Sequence, residues 1–137
     1  MAKKQGTGIA AVWYSTGMSG GGDPSQAMIK MQPDGSVDVI IGTVDIGQGI
    51  RSVARQIAAQ ELGISIDKVN VTTVDTDSSP LDTGTFASRA THQTGNAVLR
   101  AAKEAREVLF EVAAEQLGAE LMGFPLQKAV ELIESTG

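Results

Sequence analysis

Cysteine is absent from this sequence. That removes disulfides, thiolate metal sites, Fe–S ligation and a cysteine nucleophile from what the chain can do by itself. Histidine occurs once, as His92. A zinc or non-haem iron site needs several nitrogen or sulfur ligands, so a metal held by these side chains is disfavoured. A lone His92 is also a poor candidate for a catalytic base, because a histidine at a helix start is more often structural. Aromatic residues are scarce, with one Trp, one Tyr and three Phe, too few for a base-stacking platform. Excess positive charge is missing as well. A net charge of −5 argues against a nucleic-acid partner, which needs a basic face to displace counterions. Long apolar runs are absent: Ile9–Tyr14 and Val39–Ile41 are the longest, against about 20 residues for a membrane span. Lys3 and Lys4 are not followed by an apolar stretch of signal-peptide length, so a cytoplasmic protein without a membrane partner is the simplest expectation.

What is present suits one globular domain. A chain of 137 residues is too short for two comfortable cores, yet it can bury roughly two-thirds of its unfolded surface. Its 42% hydrophobic and 20% charged content fits a folded protein. A short apolar run, Gly8 to Tyr14, suits a buried strand. Ser15 to Gln26 then reads as a loop, with three consecutive glycines at Gly20–Gly22 that serve either a ligand approach or a plain connector.

Periodicity outlines the rest. Ala27–Gln32 and Ser36–Gly42 read as a β-hairpin about the turn Pro33-Asp34-Gly35-Ser36, with Val37, Val39 and Ile41 on one face. Ile50 to Leu62 has helical spacing, with Ile50, Val53, Ala54, Ile57, Ala58 and Leu62 in one stripe and Gly63 as the C-terminal stop. Lys68 to Val74 alternates like a strand. Asp75 to Arg89 is a second loop, rich in Asp, Ser, Thr, Pro and Gly. A long helix is expected from about Thr94 to Leu117, with Gly95 near its start allowing close packing. A last short helix, Leu126 to Glu134, is expected after Pro125. The fold class is therefore α+β: a mixed sheet with a β-hairpin and two amphipathic helices packed on one side.

Two constellations could carry chemistry. The first is Val44-Asp45-Ile46-Gly47-Gln48-Gly49, between a strand and a helix. Its glycines let the backbone turn and leave N–H donors at a helix N-terminus, and Gln48 adds an amide that both donates and accepts. An ordinary strand-to-helix turn with an exposed glutamine would look the same. The second is Asp82-Thr83-Gly84-Thr85-Phe86-Ala87-Ser88-Arg89-Ala90-Thr91. Its hydroxyls, small residues and one Arg suit a phosphate or an amide-rich heterocycle. It also suits a helix cap at Thr91 or Thr94, with Arg89 paired to Asp75, Asp77 or Asp82. Asp75-Thr76-Asp77 has too few carboxylates for a calcium loop and reads as a turn.

Taken in order, these pieces resemble a known family. The Gly-rich loop, the hairpin, Thr43–Gly49, the helix ending Ala58-Ala59-Gln60-Glu61-Leu62-Gly63-Ile64, the strand Lys68–Val71, Asp75-Thr76-Asp77, Gly84–Arg89 and Gly95-Asn96-Ala97-Val98 together look like the molybdopterin-binding domain of the molybdenum hydroxylases, the xanthine dehydrogenase and aldehyde oxidase family. The resemblance runs over residues 8–117, and residues 118–137 look like a shortened tail of the single domain 1–137. It implies a molybdopterin cofactor whose metal is held by its own sulfurs, with no metal ligand from this chain. Gly47, Gln48 and Gly49 match the loop at the molybdenum oxo group and pterin, with Gln48 bonding one of them. Thr85, Phe86, Ala87, Ser88 and Arg89 match the loop along the pterin and its phosphate side, and Thr91 is a weaker candidate there.

The family reaction is hydroxylation of an electron-poor carbon with oxygen from water. A glutamate base assists it, and electrons leave through Fe–S clusters and a flavin. The base context is missing here: Glu131 and Glu134 lack the flanking glycine, so no catalytic residue is assigned. The expectation is a fragment or small subunit of an oxidoreductase, inactive alone. Its partners would be other molybdenum-domain segments, with Fe–S and FAD on separate domains or subunits. The alternative is a non-catalytic assembly domain of the same fold without cofactor. A nucleotide-binding module is weaker, because no Gly-x-x-x-x-Gly-Lys sequence occurs.

Overall fold

The computed structural model describes residues 3–117. The hairpin forms as its alternation dictates. Strand β1, Ala27–Met31, pairs antiparallel with β2, Val37–Ile41, placing Ile29 opposite Val39 and Met31 opposite Val37. The turn closes through Gln32 N–H to the Ser36 carbonyl at 2.9 Å, and the Asp34 carboxylate accepts the Ser36 N–H at 2.9 Å. Val37, Val39 and Ile41 are fully buried, each worth on the order of 1.5–3 kcal/mol of burial.

Helix α1, Ile50–Leu62, carries the chain across the sheet and returns it as β3, Val69–Thr72, parallel to β2. The sheet order is β1-β2-β3. The helix buries Ile50, Ala54, Ala58, Ala59 and Leu62, a stripe at helical spacing. Gly63 ends it in the left-handed region, with φ 72° and its N–H on the Ala59 carbonyl, as a helix-terminating glycine does.

Helix α2, Gly95–Leu117, lays Val98 and Ala102 into the same core as α1, Val39 and Val71. Both helices thus cover one face of a mixed sheet, the α+β arrangement expected from the sequence. Gly95 permits their close approach: a Cβ there would lie 3.0 Å from Ile57 Cδ1. Arg106 Nη1 fastens α2 to the end of α1, 3.0 Å from the Glu61 carbonyl and 3.3 Å from its carboxylate. None of the described helices is long and apolar enough to cross a membrane.

Three local expectations change. Gly8 to Tyr14 is not a buried strand: it pairs with no strand among the described residues, and Ile9, Val12 and Trp13 are almost fully exposed. The strand from Lys68 stops at Thr72, because Val74 takes φ 60° and cannot continue a ladder. Thr94 does not open α2 directly but closes a wide π-type turn, Ala90–Thr94, ahead of it. The expected helix at Leu126 to Glu134 lies outside the described residues.

Candidate functional site

The loops after β2 and before α2 meet at the same end of the sheet. From Ile41 the chain runs through Thr43 and Val44 into the Asp45–Gly49 turn. Gly47 (φ 103°) and Gly49 (φ 83°) take backbone angles that L side chains rarely adopt. Asp45 fills this turn. Its carboxylate accepts the N–H groups of Gly47 at 2.9 Å, Gly49 at 3.2 Å and Arg51 at 3.3 Å. The bonds from Gly47 and then Gly49 hold its carboxyl below the usual Asp value. Three of the donors around the helix start, on Gly47, Gly49 and Arg51, are therefore taken from within. Gln48 is also folded onto its own loop, with Oε1 accepting the Ile46 N–H at 2.6 Å and Nε2 donating to the Val44 carbonyl at 2.9 Å.

The second loop arrives at that same carbonyl. Thr85 Oγ1 donates to Val44 O at 2.7 Å, so one acceptor joins two segments 41 residues apart. Beyond Thr85 the backbone is strained. Ala87 (φ 46°) and Ser88 (φ 53°) sit consecutively in the left-handed region without being glycine, at a cost of roughly 1–2 kcal/mol each. Such outliers gather where a site demands a particular geometry. The Gly17 N–H holds the turn by donating to the Ala87 carbonyl at 2.9 Å, which ties in the Gly-rich loop. Between the loops lies an open cleft of about 450 Å³, with Gln48, Thr85, Phe86, Ala87 and Ser88 in its wall. Tyr14 and Thr91 line it too. Gly47 and Gly49 shape the turn without lining the cleft.

Arg89 behaves differently from its neighbours. Its side chain is fully buried and faces the protein. Nε pairs with Asp23 at 3.1 Å, and Nη1 reaches Asp82 at 2.9 Å and the Gly84 carbonyl at 2.6 Å. Nη2 reaches the Asp23 and Pro24 carbonyls and Ser25 Oγ. Of the three aspartates suggested by sequence, Asp82 is the partner. Asp75 instead accepts the Asp77 N–H in a local turn at 3.0 Å. His92 is exposed.

Sequence reasoning missed the layer beneath the cleft. Asp82 accepts Ser25 Oγ at 2.6 Å, Thr43 Oγ1 at 2.7 Å and the Gly84 N–H at 2.8 Å, and Thr43 and Ser25 both hydrogen-bond Thr94. Burial works to raise the Asp82 pKa, but the bonds from Ser25, Thr43 and Gly84 and the Arg89 charge outweigh it, so the net shift is downward. These partners lie as many as 57 residues from Asp82, and no local pattern announces them. The Asp45 contacts did have a signal, since Asp two residues ahead of Gly is a side-chain-closed turn. A second cleft, about 480 Å³ between α1 and α2, is lined by Gln56, Ile57, Gln60 and Leu99 and shares only Thr91 with the two motifs. No cluster of His, Cys, Asp and Glu among the described residues could hold a metal ion.

Known proteins are similar to this chain in sequence and fold. A family model described as the molybdopterin cofactor-binding domain matches residues 1–132. The xanthine dehydrogenase molybdenum-binding subunit of Escherichia coli O157:H7 is 33% identical over 134 residues, which cover 96% of this chain and 18% of that protein. The carbon monoxide dehydrogenase large chain of Afipia carboxidovorans is 37% identical over 91 residues, 66% of this chain and 11% of that one. The structure of reconstituted CO dehydrogenase from Oligotropha carboxidovorans superposes with a TM-score of 0.68 at 35% identity, covering 71% of this chain and 12% of that one. The chain thus spans less than a fifth of the length of these relatives. With residues 1–132 matched by that family model, the chain belongs to the molybdopterin cofactor-binding domain family of the molybdenum hydroxylases.

Proposed function

We propose that this chain supplies one wall of a molybdopterin site in a molybdenum hydroxylase, with the cofactor held in the cleft between the Gly47–Gly49 and Thr85–Ser88 loops. The observation that carries this is the Val44 carbonyl, where Gln48 and Thr85 converge. The cleft's chemistry suits the cofactor. Its donors are neutral amides and hydroxyls, as a heterocycle held without covalent bonds requires. Open space lies beside Gly47 and Gly49, where no protein atom falls within 4 Å of an added Cβ. When bound, the cofactor supplies the redox centre, its metal held by its own sulfurs.

In this reading Gln48 exchanges its contacts within the loop for contacts to the cofactor. Thr85 and Ser88 offer hydroxyls, and Phe86 and Ala87 form the wall. Arg89 acts from behind the wall. The partners are further molybdenum-domain segments, with subunits or domains carrying Fe–S clusters and a flavin. The isolated chain turns over no purine or aldehyde with an electron-accepting dye, and turnover would overturn that part. A second reading, an assembly domain without cofactor, draws on the internal saturation of Asp45 and Gln48.

Metal and pterin analysis of the full chain decides between them. The chain is purified from cells that make the cofactor and from cells that cannot. Molybdenum and pterin present together only in the first preparation support the site. Equal background levels in both leave the assembly domain.

A further inference from the structure

Beneath the cleft lies a buried polar cluster that joins the Asp23–Ser25 segment, the strand end at Thr43, the Gly84–Arg89 loop and Thr94 ahead of α2. Arg89, Asp82 and Asp23 have side chains 0%, 1% and 5% exposed. Two carboxylates face one guanidinium, and hydroxyl and backbone donors complete the balance. Asp82 alone accepts from four groups, on the Pro24–Ser25 segment, on the strand end at Thr43, on Gly84 and on Arg89. Thr43 immediately precedes Val44, whose carbonyl joins the two loops. Arg89 immediately follows the strained Ala87–Ser88 turn. Arg89 also draws in Asp23, whose carboxylate accepts the Met18 N–H, beside the Gly17 that holds Ala87.

A strained turn persists only where its surroundings over-determine it. Here Gly84, Arg89 and Gly17 fix both ends and the middle of the Gly84–Arg89 segment. Nη1 and Nη2 of Arg89 are filled by protein acceptors, leaving that side chain nothing to offer a ligand.

We propose that Asp82 and Arg89 are positioning residues: a buried clamp that sets the geometry of both cofactor loops without touching the cofactor. The clamp couples the Gly-rich loop at Gly17 to the cleft wall at Ala87. This inference builds on the proposed cofactor site, but its first test needs no cofactor.

Amide hydrogen exchange by NMR is compared between the full-length chain and Asp82→Asn. The substitution keeps the shape and removes one of two acceptor oxygens. The N–H groups of Gly84 and Arg89 and the more distant Gly17 should exchange about tenfold faster or more, as loss of a buried charged hydrogen bond implies. Amides of Val39 and Ile41 in the sheet should hold their rates. A uniform change across all amides would mean general destabilisation and overturns the clamp. Acceleration at Gly84 with Gly17 unchanged would overturn the coupling. If Asp82→Asn does not fold, Ser25→Ala removes a single donor and should give the same pattern at about threefold, with a uniform or absent response counting against it. In a second arm, Asp82→Asn purified from cofactor-producing cells should retain less molybdenum than the unmodified chain. Unchanged retention contradicts a role for the clamp in binding, whereas an unmodified chain without molybdenum refutes the cofactor site and leaves the exchange result to judge the clamp.

Discussion

Replacing Arg89 with methionine tests how much the buried clamp contributes to folding. Methionine keeps most of the length and apolar stem but removes the charge and every donor. Asp23 and Asp82, 5% and 1% exposed, would then lie buried without a cation. Three backbone carbonyls, those of Asp23, Pro24 and Gly84, would lose a partner. Breaking a buried pair from one side costs about 3–5 kcal/mol, a large share of the roughly 5–15 kcal/mol of an ordinary domain. The melting temperature should fall by on the order of 10–20 °C. Urea unfolding followed by helical circular dichroism is the assay of choice, because Trp13 is 88% exposed and its emission reports little of the core. The pH dependence adds a sign. Asp82 has a pKa below its unfolded value of 3.8, so it stabilises the fold above that pH and the contribution is lost as pH falls through the folded value. Without Arg89 the burial of Asp82 favours its neutral form. The gap between the unmodified chain and Arg89→Met should therefore narrow below about pH 4. A loss under about 1 kcal/mol at neutral pH, the value of a surface pair, or a gap that widens in acid, would refute the reasoning.

Two further outcomes follow from single residues. Val74 is 63% exposed and held at φ 60°, where a β-branched side chain is strained. Val74→Asn should stabilise by about 1 kcal/mol, since asparagine tolerates this region, and a lower urea midpoint would contradict it. Asp45 receives the Gly47 and Gly49 N–H groups, which lowers its pKa. The NMR shifts of both amides should therefore titrate together with a midpoint below 3.8, and a midpoint at or above that value would show that the carboxylate does not hold the turn.

Local pattern and long-range pairing divide what the sequence could reveal. Helix α1 runs over Ile50–Leu62 because its apolar spacing and the stop at Gly63 act within a few residues. The hairpin was legible for the same reason. Gly8 to Tyr14 was misread because an apolar run states a preference for burial but cannot name a partner strand, and none of the described strands pairs with it. Val74 was misread because alternation continued past the point where the backbone turns. At the site, the two loops stood out by composition and order. Their meeting at Val44 and the clamp formed by Asp23, Ser25, Thr43, Asp82, Arg89 and Thr94 depend, apart from the Asp82–Arg89 pair seven residues apart, on contacts across 39 to 69 residues. Arg89 stood open between a phosphate contact and an ion pair with Asp75, Asp77 or Asp82, because an arginine among hydroxyls is ambiguous until its depth is known.

The central claim is that the two loops form one cofactor cleft. Adding molybdopterin cofactor to the isotopically labelled chain and following amide NMR shifts tests it most directly. The account predicts changes at Gln48 and at Thr85 to Ser88, with Gln56, Gln60 and Leu99 in the groove between α1 and α2 unmoved. Shifts confined to that groove, or none at Gln48 and Ser88 under saturating cofactor, would contradict it.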